Sequence, residues 1–385
     1  MVETKENKRL CLFIDGTWNT VENNTNVWRI SSLCSDRDDT GQRQLAYYTK
    51  GVGTSVGAKL SGGLFGYGIV EIIIDAYEWL IQRYKAGDEI FIFGFSRGAY
   101  AARSLAGLIA KSGMVRPGSP VGVGELFDRY KFPDARTLYR LRDQKADGTL
   151  GETTILERRM LEYSSPAPIK MVGVWDTVGA LVGPYSFLET GLRTPVENAY
   201  HALAIDEHRK TFSPTLYTQN FHLDRPEAEQ PKLRDISSVE QRWFVGAHAN
   251  VGGGYNSDLL AQIPLRWLKQ KAESHGMKFS YDLDAQDESC TAPTNNSFKE
   301  MAFGLYALVN LEKPHFRQIG SEAITTTNLK TVTVNETIDG SVFERVRRGG
   351  DYPPPNLTDW AQRHNIDLKA IQGAVRADDP KAAVS

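Results

Sequence analysis

The chain contains only three cysteines in 385 residues, Cys11, Cys34 and Cys290. They are too few and too scattered for a disulfide framework or a thiolate zinc site. No apolar run is long enough to span a bilayer. The nearest candidate, Ile69 to Ile81, is interrupted by Glu71, Asp75 and Glu78. Residues Met1 to Arg9 are charged and carry no apolar signal-peptide core. The chain is therefore expected to be cytoplasmic as made, and a role outside the cell would require export without a cleavable signal. Neither charge dominates: 45 Lys and Arg stand against 47 Asp and Glu, a net charge of −2. That balance excludes an electrostatic nucleic-acid binder. There is no G-K pair, hence no Walker loop, and no H-E-x-x-H pair of metal ligands. No cofactor and no metal are expected.

What is present is ordinary for a globular α/β protein, with 41% hydrophobic and 24% charged residues. One stretch organises the rest. Asp88 to Phe95 reads as a buried strand, Gly94-Phe95-Ser96-Arg97-Gly98 as a tight turn, and Ala99 onward as a small-residue helix running to Lys111 and stopping at Gly113. A G-x-S-x-G turn between strand and helix is the context that exposes a nucleophilic serine at a strand's carboxyl end. The flanking glycines are needed because side chains there would collide across the turn.

Other strands end in chemistry as well. Arg9 to Ile14 is a continuous apolar run that ends in Asp15-Gly16-Thr17. Ile169 to Trp175 ends in Asp176, and Gln241 to Gly246 leads into His248 and a glycine loop. In a parallel sheet these ends share one edge, where α/β proteins place their ligands. Ser96, Asp176 and His248 occur in the chain order Ser, Asp, His of the α/β-hydrolase triad. Histidine titrates near neutrality and can carry the serine proton, and a carboxylate on its other nitrogen orients it. Asp206 is the rival acid, because it lies between the Asp176 strand and His248. His201 and His208 read as surface residues on a helix spanning about Glu197 to Phe212. The backbone N–H of Arg97, together with that of Gly16 or Thr17, suits an oxyanion hole, and Asp15 suits the substrate side. Asp15, Asp176 and His248 converging could hold a cation, but fall short of the ligand count such sites need.

Gly51-Val52-Gly53-Thr54 and Gly62 to Gly68 are glycine-rich loops that admit close backbone approach. Gly53 and Thr54 are candidate substrate contacts; the spacing is wrong for a dinucleotide fingerprint. Ile69 to Lys85 is an amphipathic helix. The charged segment 117–168 reads as an inserted lid. Residues 273–385 read as a C-terminal extension packing on the core of a single domain, with Thr331 to Val346 forming a hairpin turned at Asp339-Gly340.

Several of these stretches together resemble a known family. They are Asp15-Gly16-Thr17-Trp18-Asn19, Gly51-Val52-Gly53-Thr54, Gly94-Phe95-Ser96-Arg97-Gly98-Ala99-Tyr100, Gly173-Val174-Trp175-Asp176-Thr177-Val178-Gly179 and His248-Ala249-Asn250-Val251-Gly252-Gly253-Gly254-Tyr255. They are similar to the catalytic domain of the first family of type VI secretion lipase effectors. The resemblance implies an α/β-hydrolase-like fold, with a mostly parallel sheet flanked by helices. It also implies a serine phospholipase or esterase using Ser96, Asp176 and His248. A lipid or small-molecule ester would be the substrate, with transient membrane contact and a secretion-machine or immunity partner. The chain departs from the family's usual His-Ser-Asp-Val-Gly-Gly-Gly at Ala249 and Asn250. That makes Asn250 a candidate for substrate selection. A hydrolase of phosphate-bearing or nucleotide substrates and a catalytically idle binding module are the alternatives.

Overall fold

The computed structural model describes residues 7–16, 21–51, 62–179, 191–192, 195–227, 230–255, 259–283, 289–295, 314–349 and 352–384. Its backbone is a nine-stranded sheet. In chain order the parallel strands are β1 (Arg9–Ile14), β2 (Gln44–Thr49), β3 (Glu89–Phe95), β6 (Ile169–Trp175), β7 (Val196–Ala204), β9 (Val239–Phe244) and β12 (Glu336–Ile338). Antiparallel β13 (Ala374–Arg376) and β14 (Ala383–Val384) close one edge. The intervening strands lie off the main sheet: β4 (Met114–Val115) pairs with β5 (Ser164–Ser165), and β8 (Thr218–His222) with β11 (Leu329–Thr333) and β10 (Ile324–Thr325). This is the mostly parallel, helix-flanked sheet expected from the strand pattern.

The two-residue period of each strand divides the core. Leu10, Leu12 and Ile14 of β1, with Ile90 and Ile92 of β3, face α2 (Gly62–Arg83) and α3 (Arg97–Ser112). Cys11 and Phe13, with Phe91, Phe93 and Phe95, face the other way, toward α1 (Asn26–Leu33) and α8 (Leu259–Ser274). A strand covered on both faces is apolar throughout, and β1 is buried at all six positions. β1 lies between β2 and β3: the chain passes from β1 to β2 on one side, then crosses to β3 on the other and continues to β6 beyond it. The chain therefore reverses direction across the sheet at β1 and β3. A crevice at such a switch point is where open α/β sheets bind ligands.

Two segments depart from the sequence reading. Residues 197–204 are not helical: they form β7, seated between β6 and β9, and His201 is fully buried there. Thr331 to Val346 is not a hairpin. β11 pairs with β8 while β12 joins β9 in the main sheet, and Asp339 caps the helix Gly340–Arg348 by accepting from Ser341 N at 3.0 Å. The C-terminal residues thus extend the central sheet. Segment 117–168 folds as α4 (Val123–Tyr130), α5 (Leu138–Ala146) and α6 (Ile155–Tyr163), whose Leu126, Phe127, Leu141 and Met160 join the core. Lys111, in the last turn of α3, donates to Tyr130 O and Phe132 O. The segment therefore sits at the end of α3 away from Ser96.

Candidate active site

Ser96 stands between β3 and α3 with φ 58° and ψ −125°. This is a left-handed conformation that a non-glycine residue holds only when its surroundings enforce it, at about 1–3 kcal/mol. The enforcement is visible. Ser96 N donates to Trp175 O at 3.0 Å, and Ser96 O accepts from Tyr100 N at 3.2 Å to start the helix. The glycines are required by contact. A Cβ on Gly98 would lie 2.3 Å from the carbonyl oxygens of Ile14 and Asp15, and one on Gly94 would lie 2.7 Å from Gly98 O. The missing side chains let α3 press on the end of β1, which brings the Ser96 and Asp15 loops together.

β9 leads to the histidine. His248 opens the short helix α7 (His248–Gly252), and its ring lies between Phe95, centroids 4.6 Å apart, and Phe212, 5.0 Å. His248 Nε2 is 2.8 Å from Ser96 Oγ, and Nδ1 is 2.5 Å from Asp176 Oδ2. With Nδ1–H donating to the carboxylate, Nε2 is the acceptor for the serine hydroxyl. Burial pushes the imidazole toward its neutral form, and the Asp176 carboxylate pulls in the opposite direction, with burial prevailing.

Asp176 also adopts a left-handed backbone, φ 40°, and is fully buried. Burial alone would raise its pKa. Arg317 and His248 outweigh burial and hold the carboxyl well below the usual range. Arg317 Nη1 donates to Oδ1 at 2.6 Å and Nη2 to Oδ2 at 3.0 Å, and Ala204 N adds a third donor at 3.1 Å. The adjacent Thr177 N donates to His201 Nε2 at 3.0 Å, and burial pushes His201 down to about 3, so it serves as a neutral acceptor. Glu207 accepts from His248 N at 3.3 Å and is paired with Arg209 Nε at 2.7 Å.

Ser96, Asp176 and His248 are thus brought into one hydrogen-bonded row. The other expected residues divide. Asp206 is buried and accepts from Gly246 N at 2.6 Å, with no bond to His248. Burial raises its carboxyl to about 6. Asp15 is 1% exposed and faces protein: Oδ1 accepts from Gly16 N at 2.7 Å, and Oδ2 from Thr25 Oγ1 at 2.6 Å and Tyr48 OH at 2.8 Å. These bonds fix the loop after β1. The same bond commits the Gly16 N–H. Arg97 opens α3, where helix N–H groups precede the helix's own acceptors. Thr17, Gly53 and Thr54 lie outside the described residues.

Asn250 is also fully buried. Its Oδ1 accepts from Ala247 N and Asn295 N, and its Nδ2 donates to Asn295 Oδ1, each at 3.1 Å. It fastens the His248 helix to the segment around residue 295. Among the described residues, no group of three His, Cys, Asp or Glu side chains is placed to hold a metal ion, and no helix is long and apolar enough to cross a membrane.

No sequence motif singles out Arg317, Glu207 or Phe212, and the helical reading of 197–212 puts His201 on the surface, whereas it is fully buried. A strand end signals Asp176 and His248. Arg317 follows no described strand of the main sheet directly and matches no motif, and it reaches Asp176 from 141 residues away.

Comparison with known proteins agrees with the motif pattern. An uncharacterized protein of Saccharomyces cerevisiae is 25% identical over 295 residues, covering 70% of this chain and 40% of its own length. A crystal structure of an uncharacterized Pseudomonas aeruginosa protein is 17% identical, with a TM-score of 0.40, over 80% of this chain and 51% of that one. The Tle1 effector bound to the VgrG spike of the type 6 secretion system is 18% identical, with a TM-score of 0.32, over 65% of this chain and 51% of that one. The chain therefore spans about half, or less, of each of these relatives. The family described as type VI secretion, phospholipase effector Tle1-like, catalytic domain matches residues 8–271, and the chain belongs to that family.

Proposed function

We propose that the protein is a serine hydrolase that cleaves lipid acyl esters, with phospholipids as the favoured substrates. The observation that carries the reading is the row Asp176–His248–Ser96, with bonds of 2.5 and 2.8 Å, ending on a serine in a strained elbow. His248 Nε2 removes the proton as Ser96 Oγ attacks the ester carbonyl. Asp176 holds the tautomer and steadies the imidazolium. The negative oxygen that forms is met by the Arg97 N–H and the positive end of α3. The imidazolium then returns its proton to the leaving alcohol. Water, activated by the same nitrogen, releases the fatty acid from Ser96. The phospholipid preference is supported by family membership.

Fatty-acid release from phosphatidylglycerol–phosphatidylethanolamine vesicles tests the reading. The wild type should release fatty acid, and Ser96→Ala should lower kcat by a factor on the order of 10⁶. Cleavage of a soluble p-nitrophenyl ester without vesicle hydrolysis would make the protein a soluble esterase. Inactivity toward both would refute the proposal.

A further inference from the structure

We infer that Arg317, outside the span that the family matches, is a positioning residue of this site: its guanidinium fixes the plane of the Asp176 carboxylate and offsets its charge toward His248. The inference rests on Ser96 being the nucleophile and His248 its base.

The geometry is that of a built clamp. The Arg317 side chain is 1% exposed and Asp176 is 0% exposed. The two guanidinium nitrogens reach both carboxylate oxygens, and the same nitrogens donate to Ala204 O at 2.8 Å and to Phe212 O. The main chain of Arg317 is itself held, with Asn356 Nδ2 donating to Arg317 O at 3.1 Å. A bidentate pair of this kind sets orientation as well as distance. Asp176 Oδ2 is shared between His248 Nδ1 and Arg317 Nη2, so a rotated carboxylate would break both bonds. A buried ion pair is a poor device for stability, because desolvation offsets its attraction. Its placement on the back of the acid is better explained by what it does to the base.

Among the described residues, charged and titratable groups face the pair from several elements. Asp176 meets His248 from the end of β6, and Arg317 meets Asp176 from the C-terminal segment. Glu207 and Arg209 face His248 from beyond β7, but are paired with each other at 2.7 Å. His201, itself near Arg103 of α3, faces Asp176 through Thr177 N and is neutral. Arg317 is thus the cation that balances the carboxylate. Without it the Asp176–His248 pair would bind a proton more readily, whichever of the two carried it. The base would then be lost at higher pH.

The test is the pH profile of kcat/KM on a soluble p-nitrophenyl ester for wild type, Arg317→Gln and Arg317→Lys, with thermal unfolding of each. In Arg317→Gln the acidic limb should move up by about 1–2 pH units. At neutral pH kcat should fall roughly 10²-fold, as for a misplaced catalytic group, with KM unchanged. Arg317→Lys keeps the charge but not the fork, so the limb should stay near the wild-type position while kcat falls at least about tenfold. A Gln variant that is folded and has a wild-type acidic limb overturns the inference. If the Gln variant does not fold, the Lys variant decides: reduced kcat at unchanged KM supports the clamp, and wild-type kcat overturns it. A wild type without Ser96-dependent activity would refute the underlying reading. An active wild type with indifferent Arg317 variants refutes this inference alone.

Discussion

Asp206→Asn is the most informative single change, because Asp206 was the rival acid and its burial gives the change a calculable sign. Burial raises the Asp206 carboxyl to about 6, against opposing contributions from the Gly246 N–H and Arg345. An unfolded aspartate titrates near 3.9. Between about pH 4 and 6 the native state holds a proton that the unfolded state has lost, so stability falls as pH rises through that window. Above pH 6 the destabilisation is fully present. Two pKa units correspond to about 3 kcal/mol, an upper figure for a group that keeps one strong hydrogen bond. Asparagine removes the charge and retains an oxygen for Gly246 N. The variant should therefore be more stable than wild type by about 1–3 kcal/mol at pH 7.5, with the difference vanishing toward pH 4. Asp176 and Glu207, both held low, give a slope of the opposite sign at lower pH. They are common to both proteins and cancel in the difference. Urea unfolding across pH 4–8 measures it. Equal or lower stability of Asp206→Asn at pH 7.5 would refute the argument. Activity adds a second reading: Asp206→Asn should retain it, while Asp176→Asn should lose a factor on the order of 10⁴. The reverse pattern would make Asp206 the acid.

Two further outcomes follow from packing. In Gly98→Ala the new Cβ would stand 2.3 Å from the backbone oxygens of Ile14, the last residue of β1, and Asp15, so α3 must retreat by about 1 Å to reach an ordinary C···O distance. Thermal unfolding should show a loss of about 1–3 kcal/mol, and kcat should drop roughly 10²-fold; an unchanged melting temperature would contradict the close approach. Asn250→Asp replaces the amide donor facing Asn295 Oδ1 with a buried carboxylate oxygen. It should destabilise by about 1–3 kcal/mol, whereas a shift in acyl-chain preference without loss of stability would restore Asn250 to the substrate side.

The parts of this fold that were legible in the sequence are those with local signals. β1, β3 and β6 are predominantly apolar, broken within only by Lys170 of β6, and each is followed by a polar residue at the same sheet edge. The elbow was readable because strand, glycine turn and helix are contiguous. β7 was misread as a helix because a strand buried on both faces has no alternation to reveal it. Its polar Asn198 and His201 are satisfied by Lys170 O and Thr177 N, contacts that exist only once the sheet is assembled. Segment 117–168 read as a lid because of its charge. Within it Arg129 and Arg136 converge on Glu157 at 3.2 and 2.7 Å, a network internal to that segment. Asp15 and Asn250 both bond to neighbouring protein groups, and side-chain direction is decided by packing, which no local pattern carries. Arg317 had no local signal at all.

The central claim is that Ser96 is a nucleophile activated by His248. It is tested most directly with a fluorophosphonate probe, followed by mass mapping of the labelled peptide. The account predicts stoichiometric labelling on Ser96 that disappears in Ser96→Ala and slows by orders of magnitude in folded His248→Ala. Folded wild-type protein that fails to label, or labels on another residue, would contradict it.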